Sequence, residues 1–181
     1  MSDNGNTSNL SFRSLALWLR LRERFQDPAE ALRKAGLENG QVVLDFGCGV
    51  GSYTLPAARI VGEQGLIYAL DVHPLAIEDV ERRARKAGLA NLRTIVSGRD
   101  TGLPDGSVDV VLLYDVLHAV ADKPALLSEL QRILKPEGSL SVKPDHMARS
   151  ELLDLMRATG GFRLDAEHGE FFQFRKAARP Q

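Results

Sequence analysis

From Gln41 onward the apolar residues keep two alternating rhythms. Short runs read as strands: Val42–Leu44 as a buried apolar one, Leu66–Asp71 and (apart from Asp109) Val108–Tyr114 as apolar ones, and Leu92–Val96 and Ser139–Lys143 between and after them. Between them, apolar positions recur every three or four residues and predict helices over Tyr53–Val61, Pro74–Ala87, Lys123–Leu134 and Ser150–Ala158. Breakers sit where such helices should start and stop. Gly88 ends the second, Asp122 and Pro124 open the third, and Gly160-Gly161 closes the fourth. Lys135-Pro136-Glu137-Gly138 reads as a turn, and Phe162–Glu167 with Glu170–Arg175 as a closing pair of strands around His168-Gly169. Strands alternating with helices specify a mostly parallel α/β sheet, with right-handed crossovers and helices on both faces.

Polar positions refine this outline. In Pro74–Ala87, Ile77, Val80 and Ala84 point inward. The other face carries Glu78/Arg82, Asp79/Arg83 and Glu81/Arg85 at i,i+4 spacing, worth about 0.3 kcal/mol per pair and best read as surface. Ahead of the alternating region, residues 1–9 are Asn/Ser/Gly-rich and predict a disordered tail. Ser11 to Phe25 has an amphipathic helical pattern in which Leu15, Leu17, Trp18, Leu21 and Phe25 alternate with arginines. Asp27 and Pro28 then open a short helix that stops at Gly36. Residues 10–38 are thus expected to form a helical cap on a single domain whose core is 39–181. Phe12, Trp18 and Phe25 either pack that cap on the domain or form a lid over a ligand.

Composition narrows the function classes. The net charge of −1 offers no general basic field for nucleic acid. No apolar run approaches the roughly 20 residues that span a bilayer, and the polar start shows no signal-peptide pattern, so a cytoplasmic protein is expected. A single cysteine, Cys48, excludes an intramolecular disulfide, a multi-cysteine zinc site and a cysteine-ligated cluster. No metal is expected.

The stretch with chemistry in it is Val43-Leu44-Asp45-Phe46-Gly47-Cys48-Gly49-Val50-Gly51, a strand, an acid and three glycines ahead of a helix. Gly47, Gly49 and Gly51 let the backbone turn sharply and approach a ligand, with helix N–H groups facing the turn. A dinucleotide is the first candidate, since Asp71 could hold a ribose. Against it, Ser52 stands where Gly-x-Gly-x-x-Gly would be completed, and Asp45 faces the place a pyrophosphate would take. At about 4 Å and an effective dielectric of about 20, like charges repel by about 4 kcal/mol. S-adenosylmethionine has the opposite demand. It carries a sulfonium and an ammonium that Asp45 can face, a carboxylate for the helix N–H groups, and ribose hydroxyls for Asp71.

These residues resemble motif I of the class I S-adenosylmethionine-dependent methyltransferases. The likeness continues through Ala69-Leu70-Asp71-Val72, through Gly98 to Asp109, and through Leu126 to Ile133-Leu134-Lys135-Pro136-Glu137-Gly138, covering about residues 27–176. The subgroup most similar in appearance is the small-molecule type that includes the quinone-biosynthesis C-methyltransferases. The resemblance implies a three-layer Rossmann-like sandwich with a seven-stranded sheet in the order 3-2-1-4-5-7-6, strand seven antiparallel. It implies that Asp45, Phe46, Gly47, Cys48, Gly49 and Gly51 hold the methionine part, and that Asp71 and Val72 hold the ribose side. An acid of the 97–101 loop should accept from the adenine amino group. Asp100 is the candidate, flanked by Arg99 and Thr101, although the family places its acid directly after the glycine, where Arg99 stands. Tyr114 would lie beside the reactive methyl.

Methyl transfer to an acceptor that must lose a proton needs a base. His118 and Asp115 are the candidates after strand four, and Lys143 and His146 follow strand five. For each, a structural role (capping or orienting its loop, or a solvated loop position) stands ahead of the catalytic one. His73 is better read as a helix start, His168 as part of the terminal hairpin, and Cys48 as a small filler of the turn. The expected partner is a small-molecule acceptor, with no nucleic acid and no membrane, for a monomer or homodimer. The Asp/Asn-Pro-Pro-Tyr run of nucleic-acid amino-methylating enzymes is replaced by Tyr114-Asp115-Val116-Leu117. The alternatives are an inactive cofactor-binding subunit and an NAD(P)-dependent Rossmann oxidoreductase.

Overall fold

The computed structural model describes residues 27–144 and 146–177. The expected tail over 1–9, the helix over Ser11–Phe25 and the lid of Phe12, Trp18 and Phe25 lie outside these residues. The described chain runs α1 (Pro28–Lys34), β1 (Val42–Phe46), α2 (Thr54–Val61), β2 (Leu66–Asp71), α3 (Pro74–Lys86), β3 (Leu92–Val96) and β4 (Val108–Tyr114). A 3-10 turn at Leu117–Ala119 follows, then α4 (Lys123–Ile133), β5 (Leu134–Lys143), α5 (Arg149–Thr159), β6 (Phe162–His168) and β7 (Phe171–Lys176). The seven strands form one sheet in the order β3-β2-β1-β4-β5-β7-β6. β1 to β5 pair in parallel, and β7 runs antiparallel to both β5 and β6.

Both faces of the central strands β1 and β4 are covered, which is why they lack polar alternation, whereas the edge strands β3 and β6 keep exposed positions. Leu44, Phe46, Val111 and Leu113 pack into one cluster with Leu126, Leu127 and Leu130 of α4. Val43, Val110, Leu112 and Tyr114 point the other way, against Ala57, Ala58 and Val61 of α2 and Leu32 of α1. The two clusters are the two layers of core, separated by the sheet. Asp109, the polar exception in β4, has a tying role: its Oδ2 accepts from the Val42 N–H at 2.8 Å and its Oδ1 from Lys135 Nζ at 2.7 Å.

Three local expectations need correction. Residues 135–138 do not form a free turn, because β5 already begins at Leu134. Leu134 pairs with Val108 and Ser139 with Val110, so the extra residues bulge out of the ladder between those two contacts. In α3, Arg82 pairs with Asp79 one turn back and not with Glu78, while Glu81 keeps Arg85 at 3.8 Å. Arg83 is not merely surface, since its guanidinium donates to the Val50 carbonyl in the glycine loop. The terminal hairpin turns one residue later than the sequence suggests. His168 faces Phe171 across a Gly169-Glu170 loop, and Gly169 takes the positive φ of 64° that such a tight loop requires.

Candidate active site

All the chemistry-bearing loops leave the carboxyl ends of the parallel strands, where ligands of open α/β sheets bind. At the end of β1, the Gly47 and Cys48 N–H groups both donate to the Leu70 carbonyl, at 2.8 and 2.9 Å. This folds the loop back over β2. At the end of β2, Asp71 Oδ2 accepts from the Gly49 N–H at 2.9 Å, and Oδ1 accepts from the His73 N–H at 2.9 Å. His73 then occupies the position just before α3 opens at Pro74, in line with its reading as a helix start, with no capping hydrogen bond from its side chain. The Asp71 carboxylate is therefore held rigidly by two backbone donors, and each oxygen keeps further accepting capacity.

The glycines differ in what they are for. Gly47 has φ +77°, and a Cβ there would lie 2.7 Å from Val116 Cγ2. Gly49 has φ +51° and meets nothing within 4 Å, so its backbone faces open space that a ligand could fill. Gly47→Ala is expected to destabilise the protein by about 1–3 kcal/mol in urea denaturation, combining backbone strain with the clash. Gly40→Ala, at φ +85° with open space around it, should show the conformational part alone.

Asp45 is buried beneath the loop, 3% exposed, and accepts the Thr54 hydroxyl at 2.5 Å. Burial raises its carboxyl from 3.8 to about 6, with Asp71 adding to the rise and the Thr54 hydrogen bond opposing it. Cys48 is also buried, and burial first, then Asp45 and Asp71, push its thiol far upward. Its side chain packs with Ala69, Ile77 and Val80.

A cavity of 380 Å³ opens beside the glycine loop. Its lining includes Gly47 and Asp71, the apolar Val72 and Val120, and the charged Arg99 and Asp122. Val72 is 66% exposed, the most exposed large apolar side chain among the described residues. Asp100 and Thr101 are not among the described residues lining this cavity. The Asp100 carboxylate accepts from the Gly102 N–H at 3.1 Å, and the Thr101 hydroxyl donates to Glu129 at 2.6 Å. Glu129, held down near 2 chiefly by the Arg132 hydrogen bonds, also takes the Thr101 N–H and so anchors the loop.

On the far side of the strand ends, Tyr114 is buried and its hydroxyl meets Ser141 Oγ at 2.8 Å. Its ring packs edge-on between Tyr53 (4.7 Å) and Phe171 (5.3 Å). Burial pushes this phenol well above its usual range. Above the aromatic wall, Lys143, itself buried, lies 3.4 Å from Asp115 and 3.3 Å from Glu170. The exposed rings of His118 and His146 meet edge-on at 5.5 Å. Asp115 and His146 adopt φ of 56° and 58°, unusual for residues other than glycine. The four candidate base positions thus meet as two pairs, Asp115 with Lys143 and His118 with His146, each joining the end of β4 to the end of β5.

Tyr53, Ser141, Glu170 and Phe171 were not singled out by the sequence. The signal that could have found Glu170 and Phe171 is topological: β7 lies beside β5, so its first residues meet the end of β5. Val116 to Asp122 could have been flagged as the segment leaving β4 at the ligand end.

The geometry defines a Rossmann-like domain with a pocket beside the glycine loop and, beyond the strand ends, a cluster of aromatic and ionisable side chains. The chain belongs to the methyltransferase domain family, whose model matches residues 37–162. It is 36% identical over 102 residues to the aklanonic acid methyltransferase of Streptomyces sp. (strain C5), covering 52% of this chain and 46% of that one. It is 30% identical over 110 residues to the demethylmenaquinone methyltransferase of Geobacillus stearothermophilus, covering 60% and 47%. The chain spans about half the length of the curated relatives it matches. Among solved structures, a SAM-dependent methyltransferase from Aquifex aeolicus superposes with a TM-score of 0.74 at 28% identity, over 83% of this chain and 88% of that one. Neither the oxidoreductase alternative nor the inactive-subunit alternative finds support in these relatives. No helix among the described residues is long and apolar enough to cross a membrane.

Proposed function

We propose that this chain is an S-adenosylmethionine-dependent methyltransferase acting on a small molecule. The observation that carries the reading is the pairing of Asp71 with Gly49. A carboxylate oriented by two backbone donors borders the 380 Å³ cavity, next to a glycine with nothing above it. That arrangement fits a ribose, whose two hydroxyls donate, and a ligand that presses on the loop backbone. The loop fits a cation better than a phosphate, since Asp45 and Asp71 lie under it and the Asp71 charge raises Asp45. When bound, S-adenosylmethionine supplies a sulfonium-activated methyl group.

The chain's own residues then have three tasks. Asp71 and the glycine backbone fix the adenosyl and methionine parts, Val72 covers an apolar face, and Asp45 supplies compensating negative charge. Tyr53, Tyr114 and Phe171 form a rigid aromatic wall that excludes water from the acceptor side and suits a planar acceptor. His118, Asp115 and His146 stand where an acceptor proton could be taken up, with Lys143 paired to Asp115 and Glu170 beside them. Alignment of this kind is worth on the order of 7–11 kcal/mol in well-oriented cases. The relatives' named substrates, aklanonic acid and demethylmenaquinone, belong to a class of small molecules compatible with such a wall.

Calorimetric titration with S-adenosylhomocysteine tests the cofactor reading, with micromolar binding expected and NADH expected not to compete. A screen of planar phenols and quinones for S-adenosylhomocysteine release tests the acceptor class. Tight NADH binding without S-adenosylhomocysteine binding would overturn both.

A further inference from the structure

The sequence places an arginine where the resemblance calls for an acid, and the structure shows what surrounds it. Arg99 follows β3 and lines the cavity; Asp100, one residue on, has its carboxylate turned back onto the Gly102 N–H. Across the rim, Asp122 opens α4 and lines the same cavity. Its Oδ1 is committed to the helix, accepting from the Ala125 N–H at 3.0 Å. Its Oδ2 faces Arg99 Nη1 at 3.7 Å, with side chains 63% and 57% exposed respectively. That separation is too long for a hydrogen bond. Arg99 makes no hydrogen bond to any described residue, so its donors and the Asp122 Oδ2 lone pairs are both available.

An arginine only donates and a carboxylate only accepts. Side by side on a cavity rim, they match an edge that offers one acceptor next to one donor. The ring nitrogen and neighbouring amino group of adenine are such an edge. The rest of the lining suits a nucleoside: Asp71 offers acceptors to a ribose, and Val72 and Val120 offer apolar contact to a flat base.

We propose that the Arg99–Asp122 pair reads the base edge of the bound adenosyl group, Asp122 accepting from the amino group and Arg99 donating to the ring nitrogen. The proposal rests on the cofactor reading above. It assigns base recognition to the start of α4 in place of Asp100. It also makes discrimination depend on a split donor–acceptor pair, whose preference can be inverted by changing the acceptor.

The test is calorimetric titration of the full chain with S-adenosylhomocysteine and with S-inosylhomocysteine, which carries an oxo group in place of the amino group. Asp122→Asn keeps the helix cap, because asparagine caps as well as aspartate. It also offers the cavity an amide donor where an acceptor stood. It is expected to weaken S-adenosylhomocysteine binding about tenfold and to narrow or reverse the preference over the inosyl ligand. Arg99→Met is expected to weaken S-adenosylhomocysteine binding by about fivefold to tenfold with the melting temperature unchanged. If both variants bind within about twofold of wild type while Asp100→Asn loses affinity, the assignment is overturned and the base edge belongs to Asp100. Wild-type protein that binds neither ligand defeats the cofactor reading itself, a result distinguishable from the first.

Discussion

Asp71→Ala is expected to weaken S-adenosylhomocysteine binding by roughly 10- to 100-fold, the loss that accompanies removal of a charge-assisted hydrogen-bond acceptor. The structure adds a second consequence. In the free protein the two Asp71 oxygens already take the N–H groups of Gly49 and His73, so the carboxylate is part of the loop's own framework. Removing it leaves two backbone donors short of partners, at about 1–3 kcal/mol for each that stays buried. The variant should therefore melt at a lower temperature as well as bind more weakly. Asp71→Asn separates the two effects. Its oxygen can still serve one backbone donor, but its amide would face the other N–H with a like group, so binding should fall further than stability. Unchanged affinity in the alanine variant would mean that Asp71 does not touch the ribose.

The fold was legible because the central strands are buried on both faces. An unbroken apolar run such as Val108–Tyr114 has little alternative to a central parallel strand, and the one polar residue in it, Asp109, sits at the strand start, tied to Val42 and Lys135. The bulge at 135–138 was less legible. Pro136 and Gly138 look like turn formers, and only the pairing of Leu134 with Val108 reveals that the ladder resumes on both sides of them. The glycine loop could be read from local spacing, since its residues are neighbours in the chain. The aromatic cluster beyond it could not. Tyr53, Tyr114 and Phe171 come from a helix start, a strand end and the last strand, and a ring stack has no sequence signature when its members lie so far apart. The 97–101 loop shows the limit from the other side. Asp100 has the right chemistry, yet an acid followed two residues later by Gly102 readily turns on that backbone N–H, as it does here. Charge type alone does not say which way a loop carboxylate points.

Asp45→Asn is expected to raise stability and lower affinity for S-adenosylmethionine at once. Moving the carboxyl from 3.8 to about 6 corresponds, at about 1.36 kcal/mol per pH unit, to a cost of about 3 kcal/mol for holding the ionised form in the folded protein. The sign follows from proton binding. Between about pH 4 and 6 the folded state holds a proton on Asp45 that the unfolded state has lost, so this group makes the protein less stable as pH rises through that window. Above about pH 6 the whole cost is present; below 3.8 it is absent. The asparagine variant keeps an acceptor for the Thr54 hydroxyl, escapes the desolvation of a charge, and should gain on the order of 1–3 kcal/mol at neutral pH. That gain should shrink toward zero in melts near pH 4. Binding should move the opposite way. A cation above the loop favours the carboxylate, so wild-type affinity for S-adenosylmethionine should climb from about pH 5 to pH 7. The uncharged thioether of S-adenosylhomocysteine should show a weaker climb, and the asparagine variant almost none. A variant that is no more stable than wild type, with the same ratio of affinities for the two ligands at both pH values, would show that Asp45 is not the counter-charge. The wild-type protein, on this account, carries an ionised buried acid at neutral pH because its ligand brings the positive charge that the fold itself withholds.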